Sequence, residues 1–397
     1  MLTFQAFVSY AIWPWYWNAY RIRAWGRLPN PRGSTLCIAN HQNDLDDKTI
    51  SYLVRSSGPL DKLIYSVSGR RLFERGSMGW AIPWMAPILH RADMSWLVYA
   101  LGMLPIENET RARTFMGCAR AVLDAHGDLP LAQVFKDDAL DLIGPDARDK
   151  NLSDVFKRAL FLRSRYIDVP LKWIREPYLS EMIAQMRVDM ESDLQHLEDM
   201  LRAGATMYLT PEGFQTRTGR LGRLREALWR LAPVAESVYT LSISYDLFVG
   251  RRLSMLMRVV PAIDRNDIPN SMRAPRPVTI SQLLADWWCS SAFIDGTSAE
   301  GAFIEADAVN AVHERLAGLP PMAWVDPELR ASPERMTRAA LAGLLRRGTL
   351  ERGGRGYHLT DKRSDPRFPR PHDIVAHQAA FFEESRDAWR VFSKREG

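Results

Sequence analysis

The sequence predicts an α/β fold: a mixed, layered sheet flanked by helices, with an inserted helical lobe and a C-terminal helical, winged-helix-like module. Three observations predict it. Short apolar and β-branched runs alternate with longer helical patterns between residues 30 and 264. A charged, proline-punctuated stretch at about 128–177 interrupts that alternation. From 265 to 397 the alternation gives way to helical patterns. The 397 residues, 46% of them hydrophobic, suffice for a large core and two or three domains.

Residues 1–29 form an aromatic segment in which Trp13, Trp15, Trp17 and Trp25 stand with Tyr10, Tyr16 and Tyr20, followed by Arg21 and Arg23. Trp and Tyr favour the headgroup level of a bilayer and cations favour anionic lipids, so this segment is expected at a membrane interface. Packing on the protein's own core is the alternative. Pro14 predicts a break in any helix here.

Within 30–264, "STLCIAN" (34–40) reads as a short buried strand and "DDKTISYLVRS" as a helix. "DKLIYSVS" and "ALGMLPI" are strands, separated by a broken apolar helix over "RRLFERGSMGWAIPWMAPIL". A helix follows over "TRARTFMGCARAVLDAHG", ended by Gly127. The stretch 128–177 looks irregular, an inserted lobe or lid. A long helix spans 178–203 and stops at Gly204. "ATMYLT" is a strand running into Pro-Glu-Gly, "RLREALWRLAPVAES" a helix, and "VYTLSISY" and "SMLMRVVPAI" strands. "NDIPNSMRAPRPV" is a proline-rich connector. In "SPERMTRAALAGLLRRGTLERGGRGYHLTD" a helix and two short strand-like pieces follow the order of a winged helix.

Composition excludes several classes. Cys37, Cys118 and Cys289 lie far apart, which leaves no cysteine zinc site or disulfide framework and fits a reducing cytoplasm. No run of 18 apolar residues predicts a transmembrane helix, and no secretory signal is read at the N-terminus. The net charge of +5, carried mainly by arginine, suits anionic ligands or an anionic surface.

The chemistry concentrates in "LCIANHQNDLDDKTI". His41 and Asp46 are five apart, about 140° around a helix or on opposite faces of a strand, so contact between them needs a turn. A strand ending at Asn40 and a helix capped by Asn43 or Asp44 supply one, at the carboxyl end of a strand where open α/β sheets bind ligands. There a neutral His41 takes a proton from an attacking hydroxyl, and Asp46 fixes its tautomer. A polar turn that contains a histidine is the alternative. "GATMYLTPEGFQTRTGRLGRLREAL" repeats the strand–loop–helix arrangement, with Glu212 and Gly213 on the loop and Arg217, Arg220, Arg223 and Arg225 after it. The carboxylate suits an acceptor's hydroxyls and the guanidiniums suit a phosphate, against an ordinary turn and a solvated basic helix start.

Together the two motifs resemble the glycerolipid acyltransferase superfamily, which includes the 1-acylglycerol-3-phosphate acyltransferases. "NHQNDLD" resembles its His-x4-Asp block through His41 and Asp46, and "LTPEG" its Pro-Glu-Gly block through Pro211, Glu212 and Gly213. "LGMLPIENETRAR" resembles the block between them, and the resemblance covers roughly residues 30–262. Asn108 stands where that block carries an arginine, with Arg111 and Arg113 as nearby replacements. Phe214-Gln215 replaces the usual Thr-Arg, with Arg217 as the nearest substitute. The resemblance implies acyl transfer from acyl-CoA or acyl carrier protein to a hydroxyl of a glycerolipid-type acceptor. It implies catalysis by His41 and Asp46, acceptor or donor contacts from Glu212, Gly213, Arg217, Arg111 and Arg113, and no metal or cofactor. It also implies a cytoplasmic enzyme, peripheral on the inner face of the membrane, in phospholipid biosynthesis.

Two other readings stand. Asp44, Asp46 and Asp47 form a carboxylate cluster suited to Mg²⁺ in a phosphate-handling transferase. The winged-helix-like module, with Arg355 on its wing, suits nucleic acid or a protein partner, of which nucleic acid is disfavoured because such shapes often serve as packing units.

Overall fold

A computed structural model describes residues 2–28, 33–43, 46–56, 63–77, 86–89, 92–107, 112–213, 215–291, 302–354 and 356–396. The chain divides into two compact units: Tyr65–Met200 with a few N-terminal residues, and Ala6–Ile64 with Leu201–Gly397. The architecture is mixed α/β, as the alternation of patterns predicts.

The larger unit holds five sheet strands. They are β1 (Tyr20–Trp25), β2 (Thr35–Ala39), β7 (Thr206–Leu209), β8 (Ser237–Asp246) and β9 (Leu253–Pro261), in the order β1-β9-β8-β2-β7. Strands β7 and β8 both run parallel to β2, with Ile38 opposite Leu209 and Ala39 opposite Leu241. Strand β9 runs antiparallel to β8, and β1 parallel to β9. The carboxyl ends of β2, β7 and β8 therefore share one edge of the sheet, and β9 and β1 begin at that same edge. All five residues of β2 are buried, which is why "TLCIA" shows no polar alternation: a central parallel strand is covered on both faces.

The C-terminal helices share one apolar cluster with these strands, in which Trp288, Trp389 and Phe303 meet Tyr245 and Phe248. The Trp389 indole N–H donates to the Ala274 carbonyl at 2.7 Å. Helix Pro333–Arg347 and the hairpin of β10 (Leu350–Gly353) and β11 (Gly356–Leu359) appear in the winged-helix order. That helix buries Met336, Ala340, Leu341 and Leu344, and Arg347 donates to the carbonyls of Leu247 and Phe248 at 2.8 and 2.7 Å. Arg355 lies outside the described residues.

The smaller unit contains β3 (Ile64–Gly69) parallel to β4 (Met103–Ile106), and β5 (Ala112–Thr114) antiparallel to β6 (Asp168–Pro170). Helix Phe115–His126 is N-capped by Thr114, whose hydroxyl accepts the Gly117 N–H at 2.9 Å. The stretch 128–177 is not irregular. It carries helices Leu131–Val134, Asp137–Asp141 and Arg158–Ser164 around a core in which Phe115, Phe135 and Phe161 are fully buried. Its charges lie on the outside of short helices, so its apolar residues fall at no regular period.

Other expectations are corrected. Helix Leu2–Ala19 runs through Pro14 without ending, although the ring removes one backbone donor. Residues 20–25 are a strand: Tyr20 and Ile22 are buried, and Trp25 packs against Trp324, tilted by 59°, at 4.4 Å between ring centroids. The side chains of Trp13, Trp15, Tyr16 and Trp17 lie outside what is described. Residues 112–114 begin as a strand rather than a helix, and the proline-rich connector contains helix Ile268–Arg273. Among the described residues no helix is long and apolar enough to cross a membrane.

Within helix Ile374–Glu396, His377 is buried, its ring edge-on to Phe368 at 5.4 Å. Neither ring nitrogen has a hydrogen-bond partner among the described residues. Burial, aided by the Arg276 charge, pushes its pKa from 6.5 down to about 4. The folded state thus holds His377 neutral, while the unfolded chain protonates it below pH 6.5. Stability present above that pH drains as pH falls toward 4. Urea unfolding at pH 7 and pH 4.5 should show about 2–3 kcal/mol of this loss. His377→Phe should lose less stability than the wild type over the same interval by that amount; an equal loss in both would mean that His377 does not carry it.

Candidate active site

Strand β2 ends at Ala39, and the next residues are pinned individually. The Asn40 side chain accepts the Ile243 N–H at 2.8 Å and donates to the Ile243 carbonyl at 3.0 Å, which ties the loop to β8. The His41 N–H donates to Glu212 Oε1 at 2.8 Å. The chain then turns, with the Asp46 N–H on the Asn43 carbonyl at 2.9 Å, into a 3₁₀ turn, Asp46–Thr49, followed by helix Ile50–Ser56.

This turn brings His41 and Asp46 together. Nδ1 of His41 lies 3.4 Å from Asp46 Oδ2, at the long end of hydrogen bonding, as is common before a substrate is bound. Asp46 is fully buried. Its Oδ2 also accepts the N–H groups of Gln42 and of Asn43, the latter at 2.8 Å, and its Oδ1 accepts the Tyr245 hydroxyl. Burial first, and then the Asp46 charge, raise the Tyr245 phenol well above its ordinary pKa, so Tyr245 stays a donor. The Asp46 carbonyl accepts the Thr49 hydroxyl at 2.6 Å and the Tyr208 hydroxyl at 3.3 Å.

The Pro-Glu-Gly loop follows β7 at the same edge. Glu212 is 2% exposed, and its two oxygens accept the backbone N–H of His41 and, at 2.7 Å, of Gly222. Burial raises its carboxyl above the ordinary range, against the pull of those two bonds. In the described structure Glu212 joins two loops. Gly213 takes φ +70°, the left-handed region that favours glycine.

Gln215, not an arginine, faces the histidine ring from this loop: its Nε2 lies 3.4 Å from His41 Nε2. His41 is thus flanked by Asp46 on one ring nitrogen and Gln215 on the other. Arg217 is exposed, with Nη1 2.9 Å from His372 Nε2. Arg113 lies in the smaller unit, 3.7 Å from Glu107. Arg111 and Asn108 lie outside the described residues, as do Asp44 and the Asp47 side chain.

The sequence reading missed Gln215 and Tyr245. Gln215 had a signal, since it occupies the position where the resembled family carries a cation. Tyr245 comes from 199 residues away and had none.

No family model matches the chain, and no curated protein matches it. Among solved structures, that of the 1-acyl-sn-glycerophosphate (LPA) acyltransferase PlsC from Thermotoga maritima is similar over 66% of this chain and 68% of that one, at 11% identity and a TM-score of 0.29. That similarity is too slight to bear on fold or activity.

Removing Glu212 strands two amides, that of His41 buried and that of Gly222 partly buried. Glu212→Ala should cost about 2–5 kcal/mol of stability and speed hydrogen exchange at the amides of His41 and Gly222 above the protein's average change. Unchanged exchange at these two amides would show that Glu212 does not join the loops.

Proposed function

We propose that the protein is an O-acyltransferase that moves an acyl group from a thioester of CoA or a carrier protein to a hydroxyl of a glycerolipid-type acceptor. The observation that carries this reading is the buried Asp46 carboxylate set against His41 Nδ1 at the carboxyl edge of the sheet. The motif resemblance around His41, Asp46 and Pro-Glu-Gly supports it.

The reading assigns roles as follows. Asp46 holds the proton on Nδ1, which leaves the Nε2 lone pair as the base. The acceptor's oxygen attacks the thioester carbonyl as Nε2 removes its proton. The tetrahedral intermediate collapses, the C–S bond breaks, and the thiolate leaves with the proton from the imidazolium. No side-chain nucleophile is required. Gln215 must give way to the acceptor hydroxyl or hydrogen-bond beside it, because it occupies the space next to Nε2. Glu212 acts as a positioning residue through the His41 N–H. Arg217, exposed on the Gln215 loop, is the guanidinium offered to a phosphate of acceptor or donor. A lipid acceptor would be drawn from a membrane surface.

Mg²⁺ binding through Asp44, Asp46 and Asp47 fits less well, because Asp46 already receives donors on both oxygens.

Acyl transfer from acyl-CoA to lysophosphatidic acid and to monoacylglycerol is the assay. His41→Ala should lower turnover by roughly 10²–10⁴-fold, with Asp46→Asn in the same direction. Tyr245→Phe, which keeps the carboxylate, should lower it about tenfold through a displaced Asp46. Unchanged turnover in folded His41→Ala would remove the histidine from the mechanism. Loss of activity with EDTA and its return with Mg²⁺ would favour the aspartate cluster.

A further inference from the structure

A cleft of about 490 Å³ opens where β1 and β9 begin, and Arg21, Arg23, Arg251, Arg252, Ser254 and Glu328 line it. Its charge is unbalanced. Asp326, fully buried, takes Arg23 through two bonds of 2.6 Å. Glu328 takes Arg21 at 2.5 Å and Arg23 at 3.3 Å. Arg251 and Arg252 are exposed, and neither has a carboxylate partner among the described residues.

The turn that carries them is braced. Arg367 donates to the carbonyls of Gly250 at 3.2 Å and Leu247 at 2.7 Å, and Arg347 donates to those of Leu247 and Phe248. Gly250 adopts φ +72° to make the turn. Two exposed arginines, adjacent in sequence, are thus carried on a braced backbone, beside Arg21 and Arg23, which carboxylates already engage. The planar fork of a guanidinium matches two oxygens of a phosphate.

The position says which phosphate. The cleft lies at the start of β1, at the sheet edge that also carries His41. The helix Leu2–Ala19 feeds directly into it. That helix exposes Phe7 (68%) and Tyr10 (54%), three residues apart and so on one face. A helix that exposes aromatic rings and runs into an arginine-lined cleft supplies the two kinds of group that enter a lipid interface. We propose that this cleft binds the phosphate of an anionic phospholipid headgroup through Arg251 and Arg252. Arg21 and Arg23, which the sequence offers for the same task, are instead engaged by Glu328 and Asp326. The site does not depend on the chemistry of His41.

The test is co-sedimentation of the full chain with phosphatidylcholine vesicles, with and without phosphatidylglycerol. Arg251→Ala with Arg252→Ala should weaken binding to the anionic vesicles by roughly 30-fold and leave binding to phosphatidylcholine unchanged. Arg251→Lys with Arg252→Lys should recover part of it, and added salt should weaken the wild type more than the alanine pair. Both pairs are surface changes and should leave thermal unfolding where it is. Wild-type binding of the alanine pair to anionic vesicles would overturn the proposal. Loss of glycerol 3-phosphate binding with vesicle binding intact would also overturn it, by assigning the cleft to a soluble phosphate. Acyl transfer to a water-soluble acceptor should be unaffected, so failure here and failure of the catalytic reading are separate results.

Discussion

The buried carboxylate of Asp46 is the constraint on which the site depends. A carboxylate taken out of water is costly unless its lone pairs are met. Here two backbone N–H groups, the Tyr245 hydroxyl and the His41 ring gather around it. His41, Gln42 and Asn43 are thereby held to one carboxylate. Tyr245 on β8 reaches this carboxylate and Tyr208 on β7 reaches the Asp46 main-chain carbonyl, from the strands on either side of β2. The sheet thus holds Asp46, which faces the histidine, by its side chain and its main chain.

Glu212 performs the same operation from the other loop. It is buried, and it spends its two oxygens on amides of two separate segments. A carboxylate in a Pro-Glu-Gly turn is readily taken for a ligand to substrate. It is buried and accepts the His41 N–H, while Asp46 lies against the His41 ring. Farther out, Glu384 accepts the Leu221 N–H at 2.7 Å and pairs with the buried Arg276 at 3.0 Å, so the loop carrying Gln215 and Arg217 rests on the C-terminal helix. The C-terminal region thus braces the site's second loop.

Much of this is legible in the sequence because it is local. A fully apolar strand, a polar turn and a helix start bring His41 to Asp46 without distant information, and the same holds for Pro-Glu-Gly. The alternation of strands and helices suffices for the α/β class. What is not legible depends on long-range pairing. Tyr245 is an ordinary strand tyrosine until β8 lies beside β2. Arg23 reads as a lipid-facing cation until Asp326, 303 residues away, takes its fork. The stretch 128–177 reads as irregular because its helices are too short to show a period, although they close around three buried phenylalanines. Gln215 reads as the loss of a charge, and its place beside Nε2 depends on how the loop closes.

The central claim is that Asp46 orders the histidine so that one ring nitrogen is free to act as base. The direct measurement is the tautomer of His41 in the resting protein, read from the ¹⁵N shifts of its ring by NMR near neutral pH. The account predicts a proton on Nδ1, facing Asp46, and an unprotonated Nε2 that accepts from the Gln215 amide. A proton on Nε2, donated to a Gln215 turned the other way, would contradict it: the base would then be closed to any acceptor hydroxyl, and the Asp46 contact would be structural alone.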